Sequence, residues 1–431
     1  MEVQVTRRRL AEGWGQAIYR TLVEDNGIAI QGLPPSGRPY VRVVPCPRLL
    51  TFMVRLVRPA DLPNVLKLGG QLALSLGVES CRVARNFGDV IIESPLPRML
   101  RTTIDAETLG LKKGLWITLG NTSLMRPVSC KLNGHNIAPI LVAGRTGSGK
   151  TEALRLMIWQ LALQNDPEDL NIIIMDPKNE RLSNFSRLPH LAMPIAITPE
   201  QGYKALKWLV WKLSKRLESG ESSPSIVFFV DELIELMRMD MKTVAAALGR
   251  LAALGRERGI HLVLATQRPD RKYIDKLAVA NLGLRLVGLT GDTTEATVAA
   301  GQGGTEAHKL SGSGDMIGVV AGSVNRLQMA LVGDASLDRL PKMDNPPLEP
   351  EFEDVDLSSM LVDGGNGDIR SGYTPIEIAT ALTGKGIMSL KSLLGMGQPR
   401  AQRLRDDWAV PILGKLNESG YSLDRKENAK R

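Results

Sequence analysis

Short apolar runs alternate with amphipathic helical patterns through the central part of the chain. The runs are strand-sized, four to six residues each, and cover 140–143, 172–175, 226–230, 262–265 and 284–289. Between the first two runs, apolar residues recur at the spacing of one helical face, at Leu154, Met157, Ile158 and Leu161. Apolar strands that alternate with helices predict a mostly parallel sheet covered on both sides. We therefore expect an α/β core domain over 135–343.

The pattern differs on either side of this core. Residues 1–38 are polar and interrupted by Gly and Pro, and they predict a helix near 14–23 followed by a loop. Residues 39–134 predict a small α+β domain, because strand-like stretches at 41–44 and 90–92 flank a helix-like segment at 62–76. Residues 344–372 are acidic and rich in Pro and Gly, which predicts a flexible linker. Residues 373–431 predict a compact helical domain.

Composition places the chain among globular proteins, since 43% of its 431 residues are apolar and 23% are charged. The three cysteines lie far apart and match no metal or redox spacing, so we expect reduced thiols. No apolar run reaches the roughly 18 residues of a membrane span, and the arginine run at 7–9 is not followed by an apolar signal region. The chain is therefore expected to be soluble and cytoplasmic.

The net charge of +8 is unevenly distributed along the chain. Eight acidic residues and no Lys or Arg lie between Asp344 and Ile369, so the rest of the chain carries +16. A basic body favours a polyanionic partner, and we expect the acidic stretch to avoid that partner. A basic net charge also keeps a protein soluble, so it indicates a polyanionic partner only together with the motifs that follow.

A complete phosphate-binding motif lies between the first apolar strand and the helix after it. The motif G-x-x-x-x-G-K-[ST] reads Gly144, Arg145, Thr146, Gly147, Ser148, Gly149, Lys150 and Thr151. The glycines let backbone N–H groups turn toward phosphate oxygens, and the helix N-terminus adds positive charge. Lys150 supplies a cation for the β- and γ-phosphates, and the Thr151 hydroxyl suits Mg²⁺. The chain is therefore predicted to bind a nucleoside triphosphate.

The strand at 226–230 ends in two adjacent carboxylates. Ligands of open α/β sheets bind at the carboxyl ends of the strands, so Asp231 is suited to the Mg²⁺ shell and Glu232 to polarising the attacking water. The alternative is a strand end whose acids cap the next helix. The complete phosphate loop about 80 residues earlier favours the catalytic interpretation.

Two further polar residues interrupt or end apolar strands. Gln267 follows the run at 262–265 and is suited to contacting the γ-phosphate or the water, unless it is only a satisfied strand-end amide. Arg285 interrupts the run at 284–289, and a buried guanidinium is costly unless it is paired. On an edge strand it could reach a neighbouring subunit as an arginine finger; a paired or solvated arginine is the alternative.

With these residues in place, the chain resembles the FtsK/SpoIIIE family of DNA translocases. The resemblance beyond the ATP site rests on Asp-Pro-Lys at 176–178, Gly-Ile-His-Leu-Val-Leu-Ala-Thr-Gln-Arg-Pro at 259–269 and Ala-Asn-Leu-Gly-Leu-Arg at 280–285. It is strong over 135–335 and moderate over 40–130. It implies a RecA-like, ATP-hydrolysing motor that forms a hexameric ring around double-stranded DNA, with each ATP at a subunit interface.

The resemblance also implies roles for particular residues. Arg285 would act on the γ-phosphate of the neighbouring subunit, and Gln267 would report hydrolysis to the loop after it. In that loop Arg268, Arg271 and Lys272 are the candidates for contact with DNA phosphates, with a solvated surface as the alternative. Family members that act at cell division carry membrane spans that this sequence lacks, so a plasmid, phage or accessory translocase is the more natural expectation.

The C-terminal region resembles the winged-helix module of the same family. Its signature Gly-x-x-Arg-Ala-x-Arg-Leu is matched over 397–404. The helix begins near Gln398, and Gln398, Arg400 and Arg403 are the candidates for contact with DNA. Arg400 and Arg403 lie one turn apart, suited to guanine contacts in a major groove. Pro399 departs from the family pattern, so the base preference does not carry over.

Two other functions stay open at this point. One is a conjugative or plasmid transfer pump, for which either duplex DNA or single strands could be the substrate. A sequence-specific DNA-binding regulator would use ATP only to assemble, and its residues 373–431 alone would bind a particular duplex.

Overall fold

The computed structural model describes residues 2–33, 38–39, 41–134, 137–277 and 282–360. The chain divides into two compact units, 1–355 and 356–431. Of the second unit, the described residues form only a short 3₁₀ turn at Leu357–Met360. The features below all belong to the first unit.

The N-terminal part combines a long helix with a small antiparallel sheet. Helix α1 spans Glu2–Tyr19 and continues into a π-helical turn at Arg20–Asp25, so it begins earlier than the helix expected near 14–23. The elements after it are β1 (Gly32–Leu33), β2 (Arg38–Pro39), β3 (Arg42–Pro45), β4 (Leu49–Val54), α2 (Leu62–Lys67), α3 (Gly69–Leu76), β5 (Arg82–Asn86) and β6 (Asp89–Pro95). Strands β3 to β6 pair antiparallel in the order β3-β4-β6-β5. The helices bury one face of this sheet, an α+β arrangement as predicted.

A large sheet dominates the rest of the first unit. Its strands are β7 (Ile104–Asp105), β8 (Trp116–Thr122), β9 (Pro127–Lys131), β10 (Ile140–Ala143), β11 (Leu170–Met175), β12 (Ser225–Val230), β13 (Ile260–Thr266), β14 (Leu284–Val287), β15 (Asp315–Val320) and β16 (Ser323–Leu331). Its order is β11-β12-β13-β10-β14-β15-β16-β8-β9, with β7 beside β16. Each neighbouring pair in the first part of this order, β11-β12-β13-β10-β14, is parallel. Each neighbouring pair in the second part, β14-β15-β16-β8-β9, is antiparallel. The predicted α/β core with a mostly parallel sheet is confirmed.

Helices connect and cover these strands. They are α4 (Lys150–Gln164), α5 (Pro199–Ser219), α6 (Leu233–Met239), α7 (Met241–Leu254), α8 (Arg271–Leu277), α9 (Thr293–Ala300) and α10 (Asp334–Asp338). Helix α4 is buried at most positions because the sheet curls around it, so that β8 and β16 contact it as well as β10 and β13. Helix α5 begins at a capping box, in which Thr198 accepts from Gln201 N and Gln201 accepts from Thr198 N.

The structure places β8 and β9 in the large sheet, although the sequence pattern assigned 39–134 to the smaller domain. A short antiparallel hairpin has the same local pattern in either setting, and only pairing with β16, about 200 residues later, decides its sheet. Residues 344–355 of the expected linker belong to the first unit. The flexible linker as a whole stays a prediction.

Candidate nucleotide site

The phosphate loop connects β10 to α4, as its sequence predicts. Gly147 and Gly149 have φ of 80° and 102°, a region that favours glycine. A Cβ atom on Gly149 would lie 2.5 Å from the backbone nitrogen of Gly314. The loop is thus held against the segment 312–314, where Ser313 N donates to Gly147 O and Gly314 N donates to Ser148 O, both at 2.8 Å.

Lys150 lies inside this loop with 5% of its surface exposed. Its Nζ donates to the carbonyl of Arg145 at 3.1 Å. Burial lowers the pKa of Lys150 to about 8, while Asp231 and Glu232 pull it upward. An ammonium kept largely out of water attracts phosphate more strongly than an exposed one.

Asp231 follows β12 and contacts the phosphate loop directly. The Thr151 hydroxyl donates to Asp231 Oδ1 at 3.0 Å. Burial raises the pKa of Asp231, and this hydrogen bond opposes the shift. A hydroxyl and a carboxylate fit Mg²⁺, which in such sites keeps water and is completed by substrate phosphates. Among the described residues, no group of three or more His, Cys, Asp or Glu is placed to hold a metal ion.

Glu232 is linked to the end of the neighbouring strand β13. Its Oε1 accepts from the Thr266 hydroxyl at 3.2 Å, and its Oε2 accepts from Gln267 N at 3.3 Å. The Gln267 side chain in turn accepts from the Thr146 hydroxyl of the phosphate loop at 2.9 Å. Burial raises the pKa of Glu232, which makes the carboxylate a better proton acceptor. The loop, the carboxylate and the strand-end amide therefore form one connected polar edge.

Two open clefts flank this edge. One, of about 510 Å³, is lined by Lys178, Glu232 and Arg238 among others. The second, of about 610 Å³, is lined by Arg145, Thr146 and further residues. Gln267 and Arg268 line both clefts, so the segment after β13 borders each of them.

The sequence is similar to sequences of known DNA translocases. The sequence profile of the FtsK/SpoIIIE family matches residues 111–219 and 218–271. A protein named DNA translocase FtsK from Corynebacterium glutamicum is 31% identical over 305 residues, 62% of this chain and 33% of that protein. DNA translocase FtsK 2 from Neisseria meningitidis is 30% identical over 418 residues, 85% of this chain and 41% of that protein. Residues 111–271 are thus similar to the FtsK/SpoIIIE family.

The chain spans only part of these FtsK/SpoIIIE relatives, between 33% and 50% of the lengths of proteins from Corynebacterium glutamicum and Lactiplantibacillus plantarum. Among solved structures, the conjugation coupling protein TcpA of pCW3, in a monomer form with ATPγS, is 21% identical with a TM-score of 0.48. That similarity covers 75% of this chain and 96% of TcpA. Within the residues that the structure describes, no helix is long and apolar enough to cross a membrane.

Arg285 lies on a central strand of the sheet and not on the edge strand that its suggested role assumed. Strand β14 is not an edge strand but lies between β10 and β15, because the β15–β16 hairpin pairs on its far side. Its Nη1 donates to the carbonyls of Val298 and Ala299 at 3.4 and 3.3 Å, at the C-terminal end of α9. A cation there complements the helix dipole. In this chain the guanidinium is thus paired, and its action on a neighbouring subunit stays a prediction.

The three basic residues proposed for DNA are all exposed, as a DNA-contacting group must be. Arg268 follows β13 directly, and Arg271 and Lys272 begin α8. Lys272 Nζ lies 5.4 Å from the ring centroid of Tyr273. The second set of predicted DNA contacts, Gln398, Arg400 and Arg403, lies outside the described residues.

Three parts of the site were not singled out as functional from the sequence. Lys178 lines the first cleft and influences Asp231 and Lys150 electrostatically. The Thr266 hydroxyl holds Glu232. The segment 312–314 supports the phosphate loop from behind. Lys178 could have been found from the sequence, because it follows β11 at the carboxyl edge of the sheet. The contact between the segment 312–314 and the phosphate loop arises only from the fold.

Proposed function

We propose that this chain hydrolyses ATP with Mg²⁺ and uses the reaction to translocate double-stranded DNA. The observation that carries the proposal is the connected polar edge, in which the phosphate loop, Asp231, Glu232 and Gln267 meet at the carboxyl ends of neighbouring parallel strands. The similarity of residues 111–271 to the FtsK/SpoIIIE family supports the choice of a DNA motor over other uses of this edge.

Each residue has a definite task in this proposal. The backbone N–H groups of 144–149 and the Lys150 ammonium bind the phosphates. Thr151 and Asp231 hold Mg²⁺, which neutralises charge on the β- and γ-phosphates when bound. Glu232 accepts a proton from the attacking water, a role helped by its raised pKa. Gln267 contacts both Glu232 and the phosphate loop and so couples the reaction to the segment that carries Arg268.

The assembly and the DNA track are further parts of the proposal. We infer a hexameric ring in which Arg285 acts across the subunit interface and Arg268, Arg271 and Lys272 contact DNA phosphates. Residues 373–431, including Gln398, Arg400 and Arg403, would then read DNA sequence as a winged-helix domain. The cytoplasmic location is likewise part of the proposal.

The test measures ATP hydrolysis by the full chain with and without linear duplex DNA, over a series of salt concentrations. Stimulation by DNA should fall steeply with salt, since phosphate contacts release counterions. Lys150→Ala and Glu232→Gln should abolish hydrolysis, whereas Lys131→Ala, on an exposed face of β9, should leave it unchanged. Undiminished hydrolysis in either site variant would overturn the residue roles.

A triplex-displacement assay then separates movement from mere binding. Displacement of a third strand from duplex DNA, dependent on ATP, is the result expected for a duplex translocase. Transport on single strands without displacement on duplex would instead favour a single-strand pump. ATP turnover that is independent of DNA would favour the regulator.

A further inference from the structure

Helix α5 carries a line of basic residues on its outer surface. Lys204, Lys207, Trp211 and Lys215 follow one another at spacings of three, four and four residues, which places them on one face of a helix. The Lys204 and Lys215 side chains are 53% and 49% exposed. We refer to these four residues as the lysine stripe.

The stripe is covered by an acidic segment of the same chain, residues 349–354. Lys204 pairs with Glu349, Lys207 Nζ lies 2.8 Å from Asp354 Oδ1, and Lys215 Nζ lies 3.6 Å from Glu353 Oε2. Between these ion pairs the Trp211 and Phe352 rings stack in a tilted arrangement, with centroids 6.2 Å apart. Every lysine of the stripe is therefore matched by a carboxylate of the segment.

The lengths of the two partners agree. Eleven residues of helix from 204 to 215 rise about 16 Å, and the stretch from 349 to 353 can span up to about 13 Å. Pro350 and Phe352 also line a small apolar pocket with Met193 and Ile195 of the preceding loop. The acidic segment thus lies along the helix and is positioned by apolar contacts as well as by charge.

These contacts favour the covered state only modestly. Exposed ion pairs of this kind shift an equilibrium by about 1.4- to 5.4-fold each, so three pairs shift it by about 3- to 160-fold. They are also weakened by salt. A polyanion that meets the same lysines can therefore displace the segment.

We propose that the lysine stripe binds the phosphate backbone of duplex DNA, and that residues 349–354 occupy it as a competing polyanion until DNA displaces them. The inference rests on the proposed DNA-dependent function and adds that the acidic segment controls the access of DNA to the lysine stripe. Carboxylate and phosphate oxygens are alike as anionic acceptors for ammonium groups, and such contacts carry no base sequence information. The charge of +16 outside the acidic stretch favours the same class of partner.

The test compares two double variants of the full chain that have the same net charge. Glu349→Gln with Asp354→Asn removes two carboxylates that pair with the stripe. Asp344→Asn with Glu351→Gln removes two carboxylates nearby that form no ion pair with any described residue. Affinity for a short duplex, measured by fluorescence anisotropy without nucleotide, should be about 2- to 30-fold higher in the first variant than in the second.

Two further measurements make the outcome decisive. Adding Lys204→Gln and Lys207→Gln to the first variant should remove its gain. Thermolysin should cut beside Phe352 faster in the first variant, and faster in the wild-type chain once duplex DNA is added. Equal affinity of the two double variants, or a gain that persists without the lysines, overturns the inference.

The failure of this inference is distinguishable from failure of the proposed function. Normal DNA-stimulated hydrolysis in the wild-type chain, combined with equal affinity of the two variants, would reject the acidic segment as a competitor and leave the motor intact. Hydrolysis that DNA does not stimulate would reject the motor itself.

Discussion

A buried ion network connects the phosphate-loop support to the N-terminal sheet. Arg326 of β16 donates to both carboxylate oxygens of Asp315, at 2.9 and 2.7 Å, and to Glu93 Oε2 of β6 at 3.1 Å. Arg82 Nη1 also donates to Glu93 Oε2, at 3.0 Å. Asp315 follows the 312–314 segment that contacts the phosphate loop, so this network lies directly behind the nucleotide site.

Replacing Arg326 by Met tests how much this network contributes. The variant leaves the Asp315 carboxylate, which is 2% exposed, with hydrogen bonds from Ser311 only. Removing one partner of a buried ionic group costs about 3–5 kcal/mol, because a charge is left in the interior without compensation. At about 2 °C for each kcal/mol in a unit of this size, the thermal midpoint should fall by about 6–10 °C. Calorimetry of the full chain measures it.

The matched control is Arg82→Met. Glu93 then keeps Arg326 and loses only the hydrogen bond from Arg82, so the expected cost is smaller, about 1.5–3 kcal/mol. The ATP affinity of Arg326→Met should fall with its stability, since the segment behind the phosphate loop loosens, whereas Arg82→Met should bind ATP normally. Equal stability losses in the two variants, or a loss below about 1 kcal/mol for Arg326→Met, would refute the assigned role.

The pH dependence gives a second check on the same network. Burial acts to raise the pKa of Asp315, but Arg326 outweighs it and the net shift is downward. A carboxyl group with a depressed pKa in the folded state contributes stability that is present above its unfolded pKa and is lost as the pH falls through its folded pKa. The difference in stability between wild type and Arg326→Met should therefore be full at neutral pH and narrow below about pH 4.

Two other predictions concern the phosphate loop. Gly149→Ala should abolish ATP binding measured by isothermal titration. The φ of 102° at this position strains any side chain, and the new Cβ would lie 2.5 Å from Gly314 N. The control Gly220→Ala is also at positive φ, but its Cβ would have no atom within 4 Å, so this variant should bind ATP normally. The ATP affinity of the wild-type chain should fall as the pH rises through about 8, since the Lys150 ammonium loses its proton there. An affinity that stays constant up to about pH 10 would contradict a charged contact between Lys150 and phosphate.

Most of the candidate nucleotide site could be predicted from the sequence, because the signals for its elements are local. The phosphate loop needs glycines at fixed offsets between a strand and a helix, and each strand that brings Asp231, Glu232 or Gln267 to the edge is marked by its own apolar run. The paired state of Arg285 was not predictable, because β14 becomes a central strand only when β15 and β16 fold back onto it.

The sequence by itself determined the class of fold and the residues that form the candidate nucleotide site, since turn geometry, strand burial and residue type act over a few neighbouring positions. Tertiary structure alone decided which distant charges meet. Glu93 and Arg326 are 233 residues apart, and the acidic segment, expected to avoid a polyanion, lies on the lysines of α5. Such pairings depend on chain topology and on charge compensation in the folded state, which no local pattern records.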